Sequence, residues 1–405
     1  MLREKFSVKL GITARSALAN TVLISNIFIW YSFAFSILRA LINEAALVIW
    51  GAHFFAATFS AIAGAMLTDK IQKRTTFFVF WMAFGIISSL ILVLVDPANI
   101  LDVLVISILF GVSFGLGLPA SLAYFSGCTS VENRGKIGGL IMLFNTFGTF
   151  LLGMAMANDI LSRALILAMW RGCGVILFII INPSYKVIGK RGKASFASII
   201  NQRSFIFYFI PWTMFSLVNY LSTPVQLNVL GSDLFNFLVS IASALIAVFA
   251  IIAGFLSDII GRKHVTVTGF IILGLGYAIL GIYPESLYSW YFYTLADSIA
   301  WGIFFVIFIF TIWGDLSFGA SGDKYYAIGG LPFYISNFLR LTIGSYIAEA
   351  VSSQSIFSFI AFFLFLAVIP LMFAPETLPE KKIRERELKK YIEKAKKIKE
   401  KYVKE

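Results

Sequence analysis

Charge is what this sequence lacks most. Only 13% of its 405 residues are charged, against 59% that are hydrophobic, and a soluble chain of that length needs far more polar surface to cover its core. There are two cysteines, Cys128 and Cys173, and two histidines, His53 and His264. That excludes a disulfide framework and leaves no His/Cys/carboxylate cluster with metal-ligand spacing. No serine or cysteine has an evident histidine partner for nucleophilic hydrolysis, and no phosphate-binding Gly-rich loop occurs. An enzyme is therefore the least favoured class, no cofactor is expected, and ATP-driven pumping has no nucleotide site.

What the chain has instead is long apolar runs, with a mean hydropathy of +0.87. About 20 apolar residues span a hydrocarbon core of roughly 30 Å as a helix. Runs of that kind lie near residues 17–39, 44–68, 75–95, 101–125, 135–157, 162–182, 204–230, 233–257, 264–283, 286–314, 325–349 and 353–373. They are too long and continuous for barrel strands, which alternate over about ten residues. The first run is too long for a cleavable leader and has no small-residue cleavage pattern, so it counts as a span. The expected fold is an all-α membrane protein with twelve transmembrane helices.

Basic residues are retained on the cytoplasmic face. With the N-terminus inside, all but four of the 33 Lys and Arg fall on that face; the exceptions are Arg39, Arg163, Arg171 and Arg340. The outer loops carry acids instead, among them Glu44, Asp96, Asp159 and Glu349. Both termini are expected in the cytoplasm of a cell-membrane protein. The net charge of +12 then reports orientation and a basic tail, and no nucleic-acid partner is expected.

The chain also repeats itself. GAMLTDKIQKR at 64–74 closes the second run and GFLSDIIGRK at 254–263 closes the eighth; IGGL strings open the fifth and eleventh runs at almost the same offset. Two landmarks with one shift predict two pseudo-symmetric six-helix bundles. The expected division is an N-terminal bundle over 1–182, a cytoplasmic linker over 183–203, a C-terminal bundle over 204–373 and a basic helical tail over 374–405.

GFLSDIIGRK resembles the signature of the major facilitator superfamily, a Gly-x-Leu-x-Asp-x-x-Gly-Arg-Lys loop after helix 2 that recurs after helix 8. PETLP at 375–379 is similar to an ending seen in several branches of that family. The first copy departs from the pattern, with Ala65 and Gln72 where glycines belong. Helices 4 and 5 lack the arginine and the Gly-Pro pair of many drug antiporters. The resemblance implies a secondary transporter working by alternating access, with helices 1, 4, 7 and 10 around a central cavity. It also implies a latch on the outward-open state, in which Asp258 meets the start of helix 5 and Arg134, and Asp69 meets the start of helix 11 and Lys324. Gly254, Gly261, Arg262, Lys263, Lys73 and Arg74 complete the two gate loops.

Polar groups within the spans are expensive and mark the candidate substrate and proton pathway: Trp30, Tyr31, His53, Asn145, Asn219, Thr223, Gln226, Asp297, Trp301, Asn337 and Arg340. Asp297 and Arg340 are expected to pair. Arg171, beside Trp170, reads as structural, and His53 as a packing residue or a proton carrier. Aromatic faces, amides and one ion pair suit a small organic solute, a sugar or an organic acid, moved by a monomer in the lipid bilayer with protons as the coupling ion. An amphipathic drug exporter and a non-transporting receptor of the same fold are the alternatives.

Overall fold

Inside a bilayer, backbone polar groups must be satisfied within helices or closed barrels. The computed structural model describes residues 12–42, 45–71, 74–156, 159–183, 194–317 and 322–379, apart from the side chains at 69 and 70, and is all-helical over them. Lys73, the Asp69 side chain, most of the expected linker and the tail beyond 379 lie outside the described residues.

Ten helices among the described residues are long and apolar enough to cross a membrane. The first six are α1 (Ala14–Leu41), α2 (Ala46–Lys70), α3 (Arg74–Ile91), α4 (Ile100–Cys128), α5 (Arg134–Ala155) and α6 (Ile160–Ile181). Polar side chains start several of them. Asn99 accepts from the Leu101 amide (3.0 Å) and Asp159 from that of Ser162 (2.8 Å), so amides with no intrahelical partner are satisfied at the water boundary.

The next helix, Arg203–Ile260, has 58 residues, about 87 Å of rise, far more than one span needs. It breaks at Gly231, where φ is 71° and ψ 167°, a conformation that residues with a Cβ rarely adopt. Its arms, 203–230 and 232–260, are here α7 and α8. Tyr208 donates to the Pro375 carbonyl (2.8 Å), while Asp258 pairs with Arg262, whose amide donates to Glu376 (2.8 Å). Both far ends thus meet the 375–376 segment, and the arms run antiparallel.

Then follow α9 (Arg262–Ile282), α10 (Leu287–Leu316) and α12 (Ser353–Phe373). Between the last two, α11 comes in three consecutive pieces, Gly322–Gly329, Leu331–Thr342 and Gly344–Ala350. The broken helix and the divided one bring the spans into line with the twelve apolar runs. The run at 325–349 was expected to be continuous. Pro332 has no N–H to return into the helix; the Phe333 amide turns to the Gly330 carbonyl (3.1 Å), and the Gly329 carbonyl accepts from Trp212 Nε1 (2.9 Å). In α10, residues Phe305–Thr311 widen into a π-helix, a form that often marks functional positions.

Two apolar cores result. One is built mainly from α1 to α4 and α6, around Trp30, Trp81 and Phe110; the other from α7 to α12, around Trp212, Phe304 and Trp313, and it takes in Ile137 and Ile141 of α5. Side chains such as Phe55, Phe80, Met154 and Ile180 are each at least 70% exposed; on a multi-pass membrane protein these are the lipid-facing residues. The halves meet where α5 crosses α8 and α11 crosses α2. At the first crossing a Cβ on Gly254 would stand 2.4 Å from the Gly135 carbonyl oxygen, so glycine there permits backbone-to-backbone approach.

Candidate functional site

One end of the molecule is sealed by buried charge. The Asp258 carboxylate accepts from the first amides of α5, Gly135 (3.1 Å) and Lys136 (2.8 Å), and pairs with Arg262. A carboxylate on a helix start gains about 0.3–1 kcal/mol when exposed and up to about 2 when partly buried. Arg134 was expected on Asp258; the structure places it on Asp315, near the end of α10, with further bonds to Thr129 Oγ1 (3.2 Å) and the Ser126 carbonyl (2.8 Å). Asp315 is shared: its other oxygen accepts from Arg262 Nε (3.2 Å) and Thr377 Oγ1 (3.0 Å). The two α5 amides already fill Asp258 from the other half, which frees Arg134 for the second carboxylate.

Gly261, at φ 107°, makes the turn into α9. Glu376 of PETLP covers that helix start, accepting from the amides of Arg262 (2.8 Å) and Lys263 (3.1 Å). At the other crossing, Arg74 pairs with Asp323, which also accepts from Thr68 Oγ1 (2.9 Å). Lys324 Nζ donates to the Ala194 carbonyl (2.9 Å). Neither Asp315 nor Asp323 stood among the sequence candidates, although PETLP had marked the segment carrying Glu376 and Thr377.

Away from this seal the halves diverge. A cavity of about 810 Å³ opens between α1, α5, α7, α8 and α10. Its wall mixes Ser32, Asn145, Thr146, Thr149, Tyr220, Ser240 and Ser243 with Phe28, Trp301 and Phe305. Toward the seal, Phe28, Trp301 and Phe305 continue into a narrow apolar floor with Phe308, Trp313 and Phe333. Asn145 Oδ1 is buried without a hydrogen-bond partner, an open acceptor beside the cavity.

The remaining candidates divide into three places. Trp30 lies in the N-terminal core, where its Nε1 donates to Ser89 Oγ (2.8 Å) and its ring lies 5.0 Å from Arg171; it is not on the cavity wall. Arg171 lies between that ring and Trp81 (4.7 Å) and donates to Asn26 Oδ1 (2.7 Å), so two indole faces and an amide stabilise its charge. His53 is also enclosed: Nδ1 faces the Ser107 carbonyl (2.8 Å) and Nε2 the Tyr31 hydroxyl (2.9 Å), which fits a neutral ring with its proton on Nδ1.

A second place lies inside the C-terminal half. Gln226 Nε2 donates to Ser222 Oγ (2.9 Å) and Tyr293 Oη (2.8 Å); Tyr277 donates to Asn219 Oδ1 (3.0 Å); Tyr293 donates to Asp297 (3.4 Å). Asn219 and Gln226 therefore face α9 and α10, away from the cavity wall, while Thr223 is partly exposed. The third place is beside Tyr220. Arg340 stacks over its ring (5.1 Å), and Asn337 donates to the Phe333 carbonyl (2.9 Å). The expected Asp297–Arg340 ion pair does not form among the described residues. Asp297 looks toward Gln226 and Tyr293, and Arg340 toward Tyr220, on different faces of α7.

A family model described as Major Facilitator Superfamily matches residues 192–403, just over half of the chain. Comparison with curated proteins found no match. Solved structures share the fold at low identity. The proton:xylose symporter XylE, bound to 6-bromo-6-deoxy-D-glucose, is 14% identical with a TM-score of 0.66, covering 89% of this chain and 96% of its own. The E. coli fucose:proton symporter FucP is 11% identical at a TM-score of 0.69, over 89% and 98%. The human organic anion transporter MFSD10 is 13% identical at 0.63, over 88% and 97%.

Proposed function

The chain belongs to the Major Facilitator Superfamily, and from that premise we propose that this secondary transporter moves a small organic solute by alternating access, coupled to protons. The observation that carries the reading is the wedge: charge seals the two halves at one end, and a cavity with hydroxyl, amide and aromatic walls parts them at the other. By the distribution of basic residues the sealed end is cytoplasmic, and the structure is then the outward-open state. Substrate enters from outside, the ion pairs at Asp315 and Asp323 separate, and the halves rock closed above it.

Asp297 is the carboxylate that serves the proton. It has no counter-cation among the described residues and a single hydrogen bond, from Tyr293. Negative charge is expensive at that depth. Taking up and releasing a proton as α7 and α10 shift links its charge to the state of the cavity through the Tyr293, Tyr277 and Gln226 hydroxyl and amide groups. The sugar:proton symporters of the same fold support this reading.

Proteoliposomes with an imposed pH gradient, screened with sugars, organic acids and amphipathic drugs, test it. One class should accumulate and show counterflow. Asp297→Asn should abolish gradient-driven accumulation yet keep exchange at equal pH, since exchange moves no net proton. Gradient-driven accumulation by the variant removes Asp297 from coupling. Ligand binding with no transport of any class returns the chain to a receptor.

A further inference from the structure

Arg340 lacks, among the described residues, the partner that its place in a span predicts. It makes no ion pair and no hydrogen bond with a described residue, and its Nε is buried and unsatisfied. One face of the group rests on Tyr220 (5.1 Å), the ring that also forms part of the cavity wall and meets Trp301 edge-on (5.8 Å). Its electrostatic neighbours are Tyr220, Arg39 and Tyr31, which add a second cation and no carboxylate. The other half's Tyr31 and Arg39, both on α1, place Arg340 between the two halves, on the open side of the molecule.

A guanidinium held on an aromatic ring with its fork unoccupied is organised for a planar, two-oxygen anion. An isolated charge within a span is costly, and no described side chain supplies the opposite sign. We propose that the transported solute supplies it: the substrate is a small organic carboxylate, and Arg340 is its anchor, with Tyr220 beneath. Hydroxyls and amides of the cavity wall, Asn145 foremost, then read the rest of the molecule. This rests on the transporter reading and narrows its substrate class; Asp297, on another face of α7, stays available for the proton.

Paired probes with and without the carboxylate test the inference on the purified full chain: gluconate against glucose, lactate against propane-1,2-diol, benzoate against benzyl alcohol. Binding is read by thermal stabilisation and by quenching of tryptophan fluorescence, since Trp301 forms part of the wall. At least one carboxylate should bind at least tenfold more tightly than its neutral counterpart. Arg340→Gln should raise its Kd tenfold or more, about 1.4 kcal/mol, while Arg340→Lys recovers part of the loss. Ligand-free melting of both variants identifies a simple folding defect, and the Lys variant then carries the test. Neutral members that bind as well as their acids, an unchanged Kd in Arg340→Gln, or no carboxylate binding at all would overturn the proposal. Uptake into proteoliposomes separates the two readings. Arg340-dependent binding without uptake leaves the anchor standing and removes transport; Arg340-independent uptake of a neutral solute does the reverse.

Discussion

At the α5/α8 crossing, three carboxylates, Asp258, Asp315 and Glu376, are distributed over Arg134, Arg262 and the amides that open α5 and α9. At the α2/α11 crossing, Asp323 is the one carboxylate among the described residues, and it takes Arg74 and Thr68. The contrast follows the two copies of the loop. In GFLSDIIGRK, Gly261 turns the chain sharply enough to bring Arg262 back onto Asp258 while both face the other half. In GAMLTDKIQKR the glycine is Gln72, and Arg74, opening α3, crosses to Asp323 directly. Among the described residues the repeated motif gives three carboxylates in a network at one seam and one carboxylate at the other.

Three substitutions sharpen or break that comparison, each read by labelling Ser126→Cys at the sealed end and Thr149→Cys in the cavity, in chains lacking Cys128 and Cys173. Asp315→Asn should act most strongly. It leaves the Arg134 guanidinium with neutral partners only and takes one of two carboxylates from Arg262, and removing one member of a buried pair costs about 3–5 kcal/mol. Labelling at Ser126→Cys should rise roughly a hundredfold, as ~3 kcal/mol implies, while labelling in the cavity falls. Asp323→Asn should give the same reciprocal change at about tenfold, because the carboxylate paired with Arg74 is lost while the networked seam stays whole. Equal effects of the two would remove the distinction between the seams. Glu376→Gln should be mildest, near threefold, from a weakened cap on α9 worth about 0.5–1 kcal/mol. An effect as large as that of Asp315→Asn would make Glu376 a full member of the ion network.

Most of the fold is legible in the apolar runs, since length and continuity alone separate spans from turns. Even the joint at Gly231 lies in the gap between the runs at 204–230 and 233–257. The divided α11 was legible in principle: Gly-Gly-Leu-Pro at 329–332 is a poor interior for a helix. The site was legible in depth but not in azimuth. Asp297 and Arg340 both fall within spans, yet a sequence does not say which face of α7 each will meet, so two charges suggested a pair that the structure separates. The same limit put Asn219 and Gln226 on the pathway when their partners are Tyr277 and Tyr293. Asp315 and Asp323 were passed over because a carboxylate at a helix end looks solvated until the opposite half covers it.

Gly231 has one more consequence. The arms it joins share no loop, so nothing between them can stretch, slip or take up slack. Tyr220 on the first arm touches the cavity and Gly254 on the second touches the other half, so the two surfaces are carried on one stiff hairpin with its bend at the open end. A small tilt of the cavity wall about that bend is delivered, lengthened by the full reach of the second arm, to the sealed end of the protein. The hairpin is a lever, with the cavity wall on its short side.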